Sequence, residues 1–192
     1  MIAADNISQK FGEHAVIENF SHEFASGKAT AILGRSGGGK TTLLNILMGL
    51  LPPDSGEVKR DGRISALFQE DRLCENLTAG ANIRLVTGKR IPKAEIAREL
   101  AAVGLESCEN KPVRVLSGGM KRRTAMLRAL LTEYDILFAD EPFKGLDSET
   151  KSTVMRYFKE KTAGKTVIFV THDEEECKAL ADEIIQIGQI EG

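Results

Sequence analysis

The feature that most constrains the fold of this chain is a glycine-rich segment near its amino terminus. Residues 34–41 read Gly-Arg-Ser-Gly-Gly-Gly-Lys-Thr and match the phosphate-loop pattern G-x-x-x-x-G-K-[ST]. A short apolar run at 29–33 precedes the segment, and helical spacing follows it over 39–50. Glycines let backbone N–H groups curl around an anion, and a helix N-terminus adds partial positive charge. The segment therefore predicts a strand, a phosphate-binding turn and a helix.

The residues that end this loop suit the phosphates and the metal ion of a magnesium nucleotide. Lys40 should reach the β- and γ-phosphates, and the Thr41 hydroxyl should ligate Mg²⁺. The alternative is a glycine-rich turn without a ligand, which four glycines followed by Lys-Thr disfavour. The nucleotide-binding residues predicted around the loop are Gly34, Arg35, Ser36, Gly37, Gly38, Gly39, Lys40, Thr41 and Thr42.

A pair of acidic residues follows a second apolar run. Residues 136–139 read Ile-Leu-Phe-Ala, and Asp140 and Glu141 come directly after them. Ligands of an open α/β sheet bind beyond the carboxyl ends of its strands, so we expect Asp140 near the phosphate loop, holding Mg²⁺. Glu141 can then polarise or deprotonate an attacking water. The alternative, a helix cap or a surface acid, is the weaker interpretation beside a phosphate loop.

Apolar runs that alternate with helical spacing indicate the fold class. Such an alternation predicts an α/β fold with a mostly parallel central sheet flanked by helices, which together with the phosphate loop is of the P-loop NTPase kind. The N-terminal third reads as short β segments, for which we expect an antiparallel β portion. The predicted strands are 15–24, 29–33, 57–60, 64–68, 136–139, 166–170 and 184–187, and the predicted helices are 39–50, 78–86, 92–103, about 120–131, 148–161 and 173–181.

The stretch from about 71 to 111 has helical spacing but no apolar strand. We therefore expect one domain over 1–192, with a core at 1–70 and 112–192 and a small inserted helical subdomain between them.

Composition excludes several other classes of protein. The chain has 192 residues, 26 Lys and Arg against 28 Asp and Glu, and a net charge of −2, which disfavours a nucleic-acid binder. Three distant cysteines (Cys74, Cys108 and Cys177) form no Cys-x-x-Cys pair, which argues against a disulfide framework or a zinc site. The longest apolar stretch, 43–51, is far shorter than the roughly 20 residues of a membrane-spanning helix.

A third motif narrows the class of nucleotide-binding protein. Residues 116–120 read Leu-Ser-Gly-Gly-Met, so that the chain resembles the nucleotide-binding subunits of ATP-binding cassette (ABC) proteins, whose signature is L-S-G-G-Q. The resemblance implies that Ser117, Gly118 and Gly119 contact the γ-phosphate of an ATP held by a second copy, in a head-to-tail dimer. The alternative for this motif is a simple helix N-cap. Met120 replaces a residue able to donate hydrogen bonds, which predicts weaker contacts across the dimer.

Further positions match this family one residue at a time. The resemblance implies that Gln69 senses Mg²⁺ and the γ-phosphate, that His172 bonds the γ-phosphate and positions the water, and that 145–147 communicates across the dimer. Phe11 stands where the family stacks an aromatic ring on adenine, although core packing is a serious alternative for it. The implied catalytic residues are Glu141, His172, Lys40 and Gln69, and the implied Mg²⁺ ligands are Thr41, Gln69 and Asp140.

Within the family, the segments 68–73, 140–143 and 171–173 are similar to importer ATPases, and residues 69–73 are most similar to the nitrate, sulfonate and taurine branch. The resemblance implies an ATP-hydrolysing subunit at the cytoplasmic face of a membrane, peripheral to it. Its expected partners are a second copy, permease subunits and, through the permease, an extracytoplasmic substrate-binding protein, with no nucleic acid. The alternatives are a non-transport ABC ATPase that works with a membrane or assembly protein, and an ATP-binding module with little hydrolysis.

Overall fold

The computed structural model describes residues 1–35 and 37–187 and divides the chain into two compact units. The first unit contains Met1–Ile64, Tyr134–Glu141 and the chain from Gly164 onward. The second contains Ser65–Glu133 and Pro142–Ala163. These boundaries differ from the predicted core and insertion, because the helices at 118–130 and 148–161 belong to the same unit as the helical stretch.

The first unit contains two kinds of sheet. Its antiparallel sheet has the order β2-β1-β4, formed by His14–Phe24, Ile2–Phe11 and Ser55–Arg60. A second sheet has five strands, and four of them lie in this unit in the order β6-β7-β3-β8. The boundary between the units falls within the fifth strand, β5 (Ile64–Leu67), after its first residue.

The four strands are parallel, and their register places three loops at one edge. They are β6 (Ile136–Asp140), β7 (Thr166–Thr171), β3 (Ala29–Leu33) and β8 (Glu183–Gln186). Leu33 is level with Thr171, and Asp140 is level with Val170. The residues that follow β3, β6 and β7 therefore emerge side by side, as the parallel topology requires.

The central strands are buried because both of their faces are covered. Every residue of β6 and β7 is buried, which explains why these strands read as continuous apolar runs rather than as an alternating pattern. Helix α1 (Lys40–Met48) packs against β6 and β7, and helix α6 (Glu174–Leu180) packs against β3 and β7. The predicted P-loop α/β fold with a mostly parallel sheet and an antiparallel portion is confirmed.

The second unit is helical. Its elements are α2 (Ala79–Thr87), α3 (Lys93–Ala102), a 3-10 turn (Val113–Val115), α4 (Gly118–Leu130) and α5 (Ser148–Lys161). Helix α2 packs against α3 and α4, and α4 packs against α5. Three of the helices begin at a side chain that accepts a backbone N–H: Thr78 for α2, Ser117 for α4 and Asp147 for α5. Over the described ranges, no helix combines the length and the apolar character needed to span a bilayer.

Candidate nucleotide-binding site

The phosphate loop joins β3 to α1 as the sequence predicts. Gly39 precedes the helix with φ +82° and lies so close to Val16 that an added Cβ would stand 2.7 Å from its Cγ1 and 2.9 Å from its carbonyl oxygen. A side chain at this position is therefore excluded both by backbone conformation and by space. Predicted residue Ser36 lies outside the described residues, and the remaining loop residues form the turn between β3 and α1.

Lys40 is folded back over this loop. Its side chain is buried, and its Nζ donates to the carbonyl oxygens of Gly34 and Arg35, each at 2.8 Å. The ammonium thus lies within the curve of the loop. The predicted contact of Lys40 with the β- and γ-phosphates stays a prediction.

The hydroxyl of Thr41 and the carboxylate of Asp140 meet although 99 residues separate them. Thr41 Oγ1 donates to Asp140 Oδ2 at 2.7 Å, and Asp140 is 4% exposed. Hydroxyl and carboxylate oxygens are the hard ligands that Mg²⁺ prefers, and Mg²⁺ usually takes one or two protein oxygens with phosphate and water completing its shell. The donor set fits Mg²⁺, and the described residues hold no larger cluster of His, Cys, Asp and Glu that could bind a metal.

Glu141 and His172 form a pair at the ends of adjacent strands. Glu141 has φ +44°, which is uncommon outside glycine, and its N–H donates to the Val170 carbonyl at 2.9 Å. Its side chain is only 12% exposed, and His172 Nδ1 lies 3.2 Å from Glu141 Oε1. When Nδ1–H donates to this carboxylate, Nε2 remains available for a second contact. A strained backbone at a strand end is typical of functional sites.

A cavity of about 390 Å³ connects His172 with the phosphate loop. Its lining includes Leu33, Gly34 and Arg35 on one side and His172 and Glu174 on another. One edge of the parallel sheet in the first unit therefore carries five predicted features: the phosphate loop, Lys40, the Thr41–Asp140 pair, Glu141 and His172.

A chain of hydrogen bonds around His172 was not predicted from the sequence. Thr171 Oγ1 accepts the N–H of Asp173 at 3.1 Å and donates to Glu176 Oε2 at 2.6 Å. Asp173 in turn accepts the N–H groups of Glu175 and Glu176, which caps α6. This is a capping box in which the Thr171 hydroxyl lies between the Asp173 N–H and the Glu176 carboxylate. A Glu three residues after an Asp is the local signal that could have indicated it.

The predicted signature motif lies in the second unit, at the start of α4. Ser117 Oγ accepts the Met120 N–H at 3.3 Å and so caps α4, while the predicted contact of Ser117 with an ATP of a second copy stays a prediction. A Cβ on Gly119 would stand 3.4 Å from the Gly145 carbonyl oxygen and from a methyl group of Leu146. The first turn of α4 therefore touches the predicted 145–147 segment, and that turn carries no acidic residue.

Asp147, the last residue of the 145–147 segment, caps helix α5. Its Oδ1 accepts the Thr150 N–H at 3.0 Å at the start of α5, and this hydrogen bond holds the pKa of Asp147 below its ordinary value. The cap fixes the end of the 145–147 segment. A role in communication across a dimer stays a prediction.

Two further predicted residues are Gln69 and Phe11. Gln69 belongs to the second unit and has an exposed side chain. Phe11 ends β1 with 53% of its surface exposed, so the core-packing alternative is wrong and the ring is available for stacking. Binding of adenine by Phe11 and of Mg²⁺ by Gln69 stay predictions.

Comparisons with known proteins show the family of the chain. Residues 17–144 match a family model described as ABC transporter. The chain is 38% identical to the aliphatic sulfonates import ATP-binding protein SsuB 3 of Paraburkholderia xenovorans, over 96% of this chain and 75% of that protein. It is 37% identical to the sulfate/thiosulfate import ATP-binding protein CysA of Caulobacter vibrioides, over 99% of this chain and 63% of the relative's length.

A solved structure shares the fold across nearly the whole chain. It is the dimeric post-hydrolysis state of the ATP-binding cassette MJ0796 bound to ADP and Pi, with a TM-score of 0.86 and 30% sequence identity. The similarity covers 98% of this chain and 94% of that one.

Proposed function

Because the chain belongs to the ABC transporter family, we propose that it is the ATP-hydrolysing subunit of an ABC importer. The observation that carries the proposal is the edge of the parallel sheet, where Lys40, the Thr41–Asp140 pair at 2.7 Å and the Glu141–His172 pair at 3.2 Å converge. The sulfonate import relative agrees with the branch that the motifs predict.

The proposed reaction is attack of water on the γ-phosphate of ATP. The loop N–H groups and the Lys40 ammonium bind and orient the phosphates. Thr41 and Asp140 would hold Mg²⁺, which, when bound, neutralises charge that develops on the phosphate oxygens. Glu141 orients the water and accepts its proton, and His172 keeps the Glu141 carboxylate in place through Nδ1 while Nε2 faces the phosphate.

The proposed catalytic assembly is a head-to-tail dimer with two ATP molecules. Each nucleotide is held by the phosphate loop of one copy and by Ser117, Gly118 and Gly119 of the other. The support within this chain is a helix start capped by Ser117, free of acidic residues in its first turn and hence favourable to an anion. ATP drives closure because it binds the closed dimer better than the open chains.

The proposed membrane partner is a pair of permease subunits, reached from the cytoplasmic face and linked through them to an extracytoplasmic substrate-binding protein. A cavity of about 490 Å³ in the second unit supports this, because its lining includes the apolar side chains of Leu77, Leu85 and Ile96. Leu85 is 59% exposed, and Arg84 and Lys93 stand on the same cavity. An apolar cavity with cations suits a short amphipathic segment of a partner.

The experiment that tests the proposal compares Glu141→Gln with the wild type and with Glu18→Gln, a matched change on the exposed face of β2. Glu141→Gln should lower ATP turnover by about 10²- to 10⁴-fold, because it removes the proton acceptor. Light scattering should show a dimer for this variant only with Mg-ATP, since ATP is bound and not consumed.

Glu18→Gln should match the wild type in both measurements. Turnover in Glu141→Gln equal to that of the wild type would contradict the assigned role of Glu141. Absence of turnover in the wild type, with ATP bound, would instead favour an ATP-binding module with little hydrolysis.

A further inference from the structure

The loop that follows β5, residues 68–78, is held by side chains of the second unit rather than by backbone pairing alone. Arg122, one turn into α4, donates from Nη1 to the carbonyl oxygens of Phe68 and Gln69. Its Nε donates to the Pro142 carbonyl at 3.2 Å. The Arg122 guanidinium thus binds the backbone of Phe68, of the predicted residue Gln69 and of Pro142. Pro142 follows Glu141 in the chain.

Arg122 is buried together with its charge. Its side chain is 5% exposed, and Nη1 lies 3.2 Å from Asp71 Oδ1, a carboxylate of the same loop. Burial of a guanidinium is costly unless its N–H donors find acceptors. Here the donors bind the carbonyl oxygens of the loop and of Pro142 and the Asp71 carboxylate. The planar fork of five donors suits this task, whereas a lysine ammonium does not.

Two other side chains hold the rest of the loop. Arg128, also on α4, donates to the carbonyl oxygens of Asp71 and Arg72 at 2.9 and 2.7 Å. Asn82 on α2, fully buried, accepts the Cys74 N–H at 2.8 Å and donates to the Cys74 carbonyl at 3.0 Å. From Phe68 to Cys74 the loop backbone is thereby tied to α2 and α4.

We propose that Arg122 is a positioning residue for ATP hydrolysis, which holds the Gln69 backbone, the signature helix α4 and the segment after Glu141 in one fixed arrangement. The proposal rests on the proposed function, because it assigns Arg122 no contact with ATP. It implies that α4 and the Gln69 loop move together when the dimer closes. Binding of ATP to the phosphate loop does not depend on these contacts, since Lys40 and the loop lie in the first unit.

The test is steady-state ATP hydrolysis by Arg122→Met, which keeps an unbranched apolar stem and removes the donors and the charge. The expected kcat falls about tenfold to a hundredfold, the cost of a small misplacement of reacting groups. The KM for ATP should stay within about twofold of the wild type, the pattern of an interaction that matters only in the transition state. The matched control is Arg98→Met, at an exposed position of α3, with kcat unchanged.

A second variant separates positioning from stability. Arg122→Met leaves the Asp71 carboxylate in a partly buried place without its guanidinium, which lowers thermal stability. The double variant Arg122→Met with Asp71→Asn should recover much of the lost thermal stability, because the remaining charge is removed. Its kcat should stay low, because the bonds to Phe68, Gln69 and Pro142 are still missing.

Either of two results would overturn the proposal in an active wild-type protein. One is a kcat of Arg122→Met within twofold of the wild type. The other is recovery of kcat together with thermal stability in the double variant, which would show that Arg122 only stabilises the fold. Absence of turnover in the wild type would count against the proposed function instead.

Discussion

At the scale of single residues, the backbone around His172 is determined by a hydroxyl. Thr171 Oγ1 both accepts the N–H that follows His172 and donates to Glu176. Thr171 and Glu176 are almost fully buried, at 2% and 5% exposure. Because the Thr171 hydroxyl is bonded both to the Asp173 N–H and to Glu176, the backbone of His172 has little freedom. The His172 side chain is therefore directed toward Glu141.

Replacing Thr171 tests this arrangement. Thr171→Val keeps the shape and loses the hydroxyl, so we expect a loss of about 1–3 kcal/mol in the free energy of unfolding. We also expect a lower kcat, because His172 is less well held. Denaturant unfolding and ATP turnover measure the two effects. Thr171→Ser, which retains the hydroxyl, should keep most of the activity; a loss equal to that of the valine variant would contradict the role of the hydroxyl.

A second buried hydroxyl gives a pH-dependent prediction. Tyr134 is 3% exposed, its hydroxyl has no hydrogen-bond partner among residues 1–35 and 37–187, and burial raises its pKa from 10.0 to about 12. The folded state therefore binds the phenolic proton more tightly than the unfolded state. The contribution of this proton to the free energy of unfolding is fully present below pH 10 and is lost as the pH rises toward 12.

Tyr134→Phe should remove that loss. At neutral pH the variant should be as stable as the wild type or more stable, because a buried hydroxyl without a partner costs about 1–3 kcal/mol. Unfolding curves at neutral pH and at pH 10 to 12 measure both effects. A large loss of stability at neutral pH in the phenylalanine variant would show that the hydroxyl does have a partner.

At the scale of elements, local sequence signals were sufficient to predict the helices, because residues close to each helix mark its ends. The helix predicted over 39–50 forms as Lys40–Met48 and ends at Gly49, which has φ +75° as a C-terminal glycine commonly does. The predicted helices at 78–86, 92–103, about 120–131, 148–161 and 173–181 all form, within three residues of the expected bounds. Caps and glycines mark such ends in the sequence itself.

The first strand was missed for a physical reason. In β1 (Ile2–Phe11) the pairing with β2 shifts register after Ala4, and Asn6 has φ +50°. Each irregularity interrupts the alternation of buried and exposed residues, which is the signal that predicts a strand. The neighbouring strands predicted at 57–60 and 64–68 both form, but as β4 and β5 they belong to different sheets.

At the scale of the whole molecule, the proposed function requires two copies. In the proposed dimer each ATP is held between the phosphate loop of one chain and the signature of the other, so two different inactive chains should complement each other. In a dimer of Lys40→Ala with Ser117→Ala, one site carries both changes and the other carries neither. The symmetry of a head-to-tail dimer thus predicts which pairs of inactive variants form one intact site.

We expect each of these variants alone to hydrolyse little ATP. Their equimolar mixture should recover about a quarter of the wild-type rate per chain, since half of the dimers are mixed and half of the sites in these are intact. ATP turnover as a function of mixing ratio measures this. A mixture containing Lys40→Ala with Asp140→Asn, whose changes fall in the same half-site, is the control and should recover nothing. Equal rates for both mixtures would contradict a shared site.

The sequence by itself determined the parts of this protein whose chemistry is local. The phosphate loop, the acidic strand end, the cap at Ser117 and the membership in the ABC family follow from residue types at short spacings, because a turn, a cap or a motif is satisfied within a few residues. The parallel topology already predicted that Asp140 lies near the phosphate loop, and the structure adds its hydrogen bond with Thr41, 99 residues away in the chain. The tertiary structure alone decided that Arg122 meets Phe68 and Gln69 across 54 and 53 residues. No local pattern marks Arg122, because its donors are satisfied by carbonyl oxygens that every residue carries and that only folding brings within reach.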